Sequence, residues 1–205
     1  MKAVGEYSWL LEFPDGDERQ ANARARAAAA VLGRSRPEGL LDVIPAARTL
    51  YVAGSPVFDP GFLSGLEGTP LPLEAGPASK LHTIAMAPAG ADLPEVAAAL
   101  SLSVEEFVAR FTRIVYTVGF LGFSPGFAYL YGLPPAMELP RRKTPRTAVP
   151  AGSVAIAGKY ACVYPGATPG GWNLLGTARV TPFDPAADPP ALFSPGDRVR
   201  FVAER

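Results

Sequence analysis

Four cationic side chains stand within six residues of this chain, at Arg141, Arg142, Lys143 and Arg146. Prolines and threonines lie within and beside this run, so a regular charged helix is not expected there. The planar guanidinium fork of arginine matches the geometry of carboxylates and phosphates. The run therefore predicts an anion-binding loop. The alternative is a solvated surface loop, since most runs of charged residues lie in solvent-exposed segments.

A second segment, YTVGFLGFSPGFAYL at residues 116–130, combines glycine, proline and aromatic residues. Glycine permits close backbone approach or positive φ, proline stiffens a turn, and aromatic rings offer flat apolar faces. A loop of this kind can line a small-molecule pocket. On physical grounds alone the better interpretation is a buried aromatic turn of a barrel. The candidate lining residues are Phe123, Pro125, Gly126, Phe127 and Tyr129.

A third segment, VYPGATPGGWNLLG at residues 163–176, contains Gly170, Gly171, Trp172 and Asn173. Successive backbone N–H groups at the two glycines can form an anion-binding nest. The asparagine amide offers both donors and an acceptor. These four residues are candidates for substrate contacts. The alternative is a hairpin turn that delivers a core tryptophan.

Several common catalytic signatures do not occur in the sequence. There is no Walker phosphate loop, no dinucleotide-binding glycine motif and no G-x-S-x-G elbow. The chain has one histidine, His82, and one cysteine, Cys162. We therefore expect no metal site, and we interpret His82 as a strand residue rather than a catalytic base. A complete general-base set is not visible, which favours a site shared with partner subunits.

Composition narrows the class of protein. Hydrophobic residues make up 48% and charged residues 19% of the 205 residues, an ordinary globular balance. Nineteen basic residues cancel nineteen acidic ones, so we expect no nucleic-acid or membrane partner. The first residues have no apolar core and no apolar run is long enough to span a bilayer, so we expect a cytoplasmic protein without a signal peptide.

The elements predicted from the sequence change in character along the chain. The first part predicts strands at 6–13, 40–45 and 48–53, with a helix at 19–32 that ends at Gly33 and a short helix with a linker within 54–79. Next come a strand at 81–86, a helix capped by Asp92 and a helix opened by a Ser103–Glu106 capping box. The remaining β-type runs predict a compact barrel or sandwich; they lie at 115–121, 153–157, 160–164, 172–180 and 198–203.

Four blocks of the sequence resemble the KipI / allophanate hydrolase subunit 1 family, which includes the B-type subunit of bacterial 5-oxoprolinase. Residues 116–130 match its Y-x-V-x-x-x-G-F-x-P-G-F-x-Y-L segment, and residues 140–158 match P-R-R-x-T-P-R-x-x-V-P-A-G-S-V-x-I-A-G. Residues 164–176 match Y-P-x-x-x-P-G-G-W-x-L-x-G, and residues 195–201 match P-G-D-x-V-x-F. The blocks occur in the right order and, with the N-terminal elements, cover nearly the whole chain.

This resemblance implies an α+β chain of two domains. Residues 1–80 would form a small α/β, ferredoxin-like domain, and residues 81–205 a cyclophilin-like β-barrel of the carboxyltransferase-domain type. It also implies work with a subunit-2-type partner (the C-type subunit) and a LamB/YcsF-type third protein. That complex couples ATP hydrolysis to opening of the 5-oxoproline ring, which gives glutamate. Arg141, Arg142 and Arg146 would then be the catalytic residues, with ATP bound through the complex.

Two departures from the family pattern keep other functions open. The family commonly has a Y-G-G-E-type segment before G-P-D-L, whereas residues 86–93 read MAPAGADL, of which only Gly90, Asp92 and Leu93 match. The family also often has histidine where Phe111 stands. A family member inhibits a histidine kinase, and a regulator of that type needs no catalytic residues. Prolyl isomerisation is a third hypothesis, suggested by the implied barrel alone.

Overall fold

The structure is a computed structural model that describes residues 1–14, 16–68 and 79–204. It divides into two compact units, Met1–Ser79 and Lys80–Arg205, which we describe separately. Within the described residues, no helix is both long enough and apolar enough to cross a membrane.

The first unit is a four-stranded antiparallel sheet with one long helix on it. The strand order is β1-β2-β4-β3. The bounds are β1 Lys2–Gly5, β2 Ser8–Glu12, α1 Glu18–Ser35, β3 Leu40–Pro45, β4 Thr49–Gly54 and α2 Ser64–Gly68, the last preceded by a 3₁₀ turn at Pro60–Leu63. Residues 69–78, the rest of the predicted linker, lie outside the described residues.

Helix α1 forms because its start is capped and its interior is rich in alanine. The Asp17 side chain accepts a hydrogen bond from the Gln20 N–H at the first turn. A stripe at helical spacing packs against the buried face of the sheet; it contains Ala21, Ala25, Ala28 and Leu32. The predicted end at Gly33 is wrong. The helix continues to Ser35 and stops where Arg36 takes a left-handed conformation, with φ 40°.

The second unit is a closed seven-stranded barrel with the order β10-β7-β6-β13-β5-β12-β9. The barrel pairs are antiparallel except β13 with β5, which is parallel. The bounds are β5 Leu81–Ala87, β6 Val115–Leu121, β7 Ala128–Tyr131, β9 Ser153–Ala157, β10 Tyr160–Val163, β12 Asn173–Ala178 and β13 Arg198–Ala203. A separate two-stranded ribbon pairs β8, Arg146–Val149, with β11, Thr168–Gly170.

Two helices, α3 at Leu93–Ala99 and α4 at Val104–Arg113, lie between β5 and β6. The predicted Ser103–Glu106 capping box of α4 is present, with both reciprocal hydrogen bonds. Phe111 of α4 is fully buried in the barrel core, where it packs against Tyr116 and Phe201. The position where the family often has histidine is therefore a core position in this chain.

The structure confirms a mixed α+β chain with a barrel and differs in detail. The predicted strand runs all contain strands, although β12 is shorter than the run 172–180. Strands β1, β7, β8 and β11 were not predicted from the sequence. The last two are only three or four residues long and carry or adjoin prolines, which predict turns rather than ladders.

Candidate functional site

The turn between β6 and β7 is shaped by two residues with positive φ. Gly126 has φ +76°, and a Cβ there would lie 2.6 Å from the Phe183 Cβ and 2.8 Å from the Pro182 oxygen. Phe123 has φ +68°, an unusual conformation for a bulky residue, and is 64% exposed. The turn therefore buries Phe127 while it holds the ring of Phe123 out toward solvent.

Aromatic rings from several elements meet behind this turn. Phe127 lies edge-on to Tyr129, Tyr164 and Trp172, with ring centroids 5.1, 5.3 and 5.5 Å apart. Tyr160 extends the cluster, 5.3 Å from Tyr129. These distances suit edge-to-face pairs, which stabilise one another beyond simple burial. The rings therefore form a rigid wall at one end of the barrel strands.

A cavity of about 70 Å³ opens beside this wall. It is lined by Phe123, Phe127, Tyr129, Arg141, Tyr164, Pro169, Gly170, Gly171 and Trp172. Gly170 is required there, because a Cβ would lie 2.5 Å from the Tyr164 hydroxyl oxygen. The cavity is thus a recess with largely aromatic walls and one cationic group in its described lining.

The cationic loop that borders this cavity, residues 139–146, is fastened by hydrogen bonds on both sides of Arg141. The Asn173 amide donates to the Pro140 oxygen at 3.0 Å. The Arg142 N–H donates to the Gly171 oxygen at 2.8 Å. Because both sequence neighbours of Arg141 are held, the backbone that carries its side chain is fixed in place.

The buried carboxylate of Asp92 binds the other two arginines of the run, Arg142 and Arg146. Its Oδ1 accepts hydrogen bonds from Arg142 Nη1 and Arg146 Nη2, both at 2.6 Å, and its Oδ2 accepts one from the Leu174 N–H at 2.8 Å. The Asp92 side chain is only 3% exposed. Asp92 is the N-cap residue of α3, as predicted, but its side chain makes no capping hydrogen bond to the helix and binds the two arginines instead.

These contacts also set the protonation state of Asp92. Burial alone would raise its pKa, but the Arg146 hydrogen bond, the Leu174 N–H and the charges of both arginines outweigh burial. The net effect lowers the pKa of Asp92 below its ordinary value of 3.8. Asp92 is therefore ionised at neutral pH, and its charge is matched by the guanidinium groups beside it.

The structure brings together seven of the twelve residues proposed from the sequence. The seven that line the cavity are Phe123, Phe127, Tyr129, Arg141, Gly170, Gly171 and Trp172. The other five are outside that lining: Pro125 and Gly126 build the turn, Asn173 fastens the loop, and Arg142 and Arg146 pair with Asp92. The catalytic role of these two arginines stays a prediction, with their charges engaged inside the chain.

Three residues of the site were not predicted from the sequence. Tyr164 and Pro169 line the cavity, and Asp92 organises the loop. Tyr164 opens a block that resembles the family pattern, so the motif itself carried a signal for it. Asp92 matches the G-P-D-L pattern of the family, but that match does not indicate its partners, which lie 50 and 54 residues away in sequence.

The titratable groups around the cavity are poor acids and bases at neutral pH. Burial raises the pKa of Tyr129 and of Tyr164, while the charge of Arg141 opposes that effect at both hydroxyls. Burial also raises the pKa of the Cys162 thiol, which packs in the same aromatic cluster. The cavity can therefore hold an anion and donate hydrogen bonds. Among the described lining residues there is no carboxylate or histidine to move a proton.

His82 lies elsewhere in the barrel, on β5. Its Nε2 is 2.9 Å from Asp197 Oδ2, and Asp197 also accepts hydrogen bonds from the Lys80 and Ser194 N–H groups. Burial would raise the pKa of Asp197, but these hydrogen bonds and the histidine lower it overall. The pair fastens β5 to the turn before β13. The part of the chain described here contains no group of three or more potential metal ligands.

Comparison with known proteins finds consistent relatives. The family model of the carboxyltransferase domain, subdomain C and D, matches residues 1–193. The B-type subunit of 5-oxoprolinase from Bacillus subtilis (strain 168) is 34% identical over 219 residues, which is 98% of this chain and 91% of that protein. The B-type subunit of 5-oxoprolinase from Escherichia coli O157:H7 is 52% identical over 116 residues, 57% of this chain and 53% of that protein.

A solved crystal structure has the same fold over nearly the whole of this chain. The crystal structure of TTHA0988 superposes with a TM-score of 0.85 and 44% identity, and the match covers 97% of this chain. The same match covers only 40% of TTHA0988, and the match to the E. coli protein spans about half of that relative. The larger part of TTHA0988 therefore has no counterpart in the aligned region.

Proposed function

The chain belongs to the family of the carboxyltransferase domain, subdomain C and D, and from that premise we propose that it is the B-type subunit of an ATP-dependent 5-oxoprolinase. The observation that carries the proposal is the match to the corresponding B. subtilis protein over nearly the full length of both chains. The proposed reaction opens the lactam ring of 5-oxoproline to give glutamate. The proposal includes a cytoplasmic location, because the reaction consumes ATP.

The chemistry of a lactam explains the use of ATP. A lactam carbonyl is a poor electrophile, and phosphorylation of its oxygen activates the carbon toward water. Such a reaction needs cationic groups near the phosphate and near the developing oxyanion. Among the described residues Arg141 is the cationic group that lines the cavity, so it can contact the substrate, and the cations at the phosphate are assigned to the partner proteins. In this proposal Arg142 and Arg146 support the loop that carries Arg141, through their ion pairs with Asp92.

The composition of the cavity supports a shared active site. The described lining offers aromatic walls, one guanidinium and phenol hydroxyls, but no carboxylate or histidine to act as a general base. The proposal therefore assigns proton transfer and ATP handling to partners of the subunit-2 type and the LamB/YcsF type. It follows that this chain alone is inactive. The cyclophilin-like description of the barrel and the ferredoxin-like description of the first unit belong to the same proposal.

Reconstitution tests the proposal. The chain is mixed with its two candidate partners, and ATP-dependent formation of glutamate from 5-oxoproline is measured with each protein omitted in turn. We expect turnover with all three proteins and none when this chain is left out.

Partners that work with the B. subtilis relative but not with this chain would refute the proposal, provided the chain is folded. In that case inhibition of histidine kinase autophosphorylation by the chain is the next assay.

A further inference from the structure

Arg141 differs from the other two arginines of its run in how its charge is used. Arg142 and Arg146 are both paired with Asp92. Among the residues that the structure describes, Arg141 makes no hydrogen bond or ion pair, and its side chain lines the cavity. A guanidinium that lines an aromatic recess, without a carboxylate in the described lining, favours an anionic ligand there.

The position of this guanidinium is prepared before any ligand arrives. Asn173 holds the Pro140 oxygen, and the Arg142 N–H is bound to the Gly171 oxygen. The Arg142 side chain is held in turn by Asp92. Because the backbone is already fixed on both sides of Arg141, the loop loses less conformational entropy when a ligand binds.

The walls of the cavity are aromatic rings that pack edge to face, so a ligand would lie against their exposed surface. The rings of Tyr129 and Trp172 have centroids 5.8 Å apart, and Phe127 lies edge-on to both. The hydroxyls of Tyr129 and Tyr164 remain protonated at neutral pH, because burial raises the pKa of each. Protonated phenols can donate to a carbonyl oxygen. The volume of the cavity, about 70 Å³, suits a compact ligand.

We infer that this cavity, in this chain alone, binds a small lactam ring that carries a carboxylate, with Arg141 as the carboxylate anchor and the aromatic residues as the walls. The identity of that ligand as 5-oxoproline rests on the proposed function. The inference goes further than the proposed function, because it assigns substrate recognition to this subunit and separates Arg141 from its two paired neighbours. The nucleotide part of ATP is then bound by a partner protein, which brings the γ-phosphate to the lactam oxygen in the cavity.

Nuclear magnetic resonance of the tryptophan indole groups tests this inference. The chain has two tryptophans, Trp9 in the first unit and Trp172 in the cavity, and a Trp9→Phe variant assigns the two signals. L-5-oxoproline is titrated against 2-pyrrolidinone, the same lactam ring without the carboxylate. We expect the Trp172 signal to shift with 5-oxoproline and the affinity for 5-oxoproline to exceed that for 2-pyrrolidinone.

Two substitutions test whether Arg141 causes the higher affinity for 5-oxoproline than for 2-pyrrolidinone. Arg141→Gln should reduce the preference for 5-oxoproline over 2-pyrrolidinone by about tenfold to a hundredfold, the worth of a charge-assisted hydrogen bond. Lys143→Gln removes a neighbouring exposed cation that does not line the cavity, and should change the preference by no more than about threefold. An unmoved Trp172 signal at the solubility limit of 5-oxoproline, or an undiminished preference in Arg141→Gln, overturns the inference.

The reconstituted complex separates this inference from the proposed function. If the complex turns over 5-oxoproline and Arg141→Gln leaves its KM for 5-oxoproline unchanged, the inference fails and the proposed function stands. If the complex does not turn over 5-oxoproline while the binding preference is as expected, the proposed function fails and the cavity stands as a site for ring carboxylates. A raised KM for 5-oxoproline, with the KM for ATP unchanged, supports both.

Discussion

Replacing Asp92 with asparagine should destabilise the second unit by about 3 kcal/mol. Asp92 accepts two charge-assisted hydrogen bonds from Arg142 and Arg146 and one from the Leu174 N–H. Either orientation of an asparagine amide places its NH₂ group against one of these donors. Removing one partner of a fully buried ion pair costs about 3–5 kcal/mol. The lower end applies, because the two arginine side chains are 31% and 26% exposed and water can replace part of the loss.

The measurement is denaturant unfolding followed by Trp172 fluorescence in the Trp9→Phe background, since Trp172 reports on the second unit only. Glu95→Gln is the matched control. Glu95 also binds Arg142, at 3.2 Å, but its side chain is 76% exposed. Exposed ion pairs contribute about 0–1 kcal/mol, so the control should change the free energy of unfolding very little.

The pH dependence gives a second, independent check of the same contact. The pKa of folded Asp92 is lowered, so its contribution is fully present above the pKa of the unfolded chain, which is about 3.9. The contribution is lost as the pH falls through the lowered pKa of the folded state. The stability difference between wild type and Asp92→Asn should therefore shrink below about pH 4. A loss for Asp92→Asn no larger than for Glu95→Gln, or a difference constant down to acid unfolding, would refute the reasoning.

Two glycines give predictions of opposite sign for denaturant unfolding. Gly33→Ala is followed with Trp9 present, since Trp9 lies in the first unit, and Gly126→Ala is followed by Trp172 in the Trp9→Phe background. Gly33→Ala should stabilise α1 by about 0.5–1 kcal/mol, because the helix runs through Gly33 and a Cβ there meets nothing within 4 Å; a destabilised variant would contradict this description of the helix. Gly126→Ala should cost about 2 kcal/mol or more, from its φ of +76° and the contact with Phe183, and it should weaken ligand binding as the turn shifts. Unchanged stability in that variant would show that the turn adopts another conformation.

Features that depend on neighbouring residues could be predicted from the sequence. The Ser103–Glu106 capping box spans three residues, so its chemistry is visible in the letters, and the structure has it. The same local rule failed at Gly33, because the packing of an alanine stripe on the sheet carries α1 beyond a residue that often ends helices. Burial of a helix face can outweigh the cost of one glycine.

The candidate site could be predicted as a set of residue types but not as an arrangement. Arginine, glycine and aromatic residues were recognisable, and seven of them do line one cavity. The sequence could not predict which arginines line the cavity and which form a structural ion pair. That division depends on Asp92, which lies about 50 residues earlier in the chain. The position of a charged residue in the sequence does not identify its ion-pair partner. Only the folded chain shows which arginine of the run lines the cavity.

The protonation states around the cavity carry a consequence for the whole complex. Burial raises the pKa of both Tyr129 and Tyr164, and arginine stays charged, so none of these described lining groups changes protonation state near neutral pH. We therefore expect any inflection between about pH 5 and 8 in kcat/KM for 5-oxoproline to come from ATP or a partner protein rather than from these lining groups. Tyr129→Phe should raise KM and leave the inflections within about half a pH unit of their wild-type positions. His82→Gln is the control outside the cavity, and an inflection removed by either substitution would return the proton-transfer chemistry to this chain.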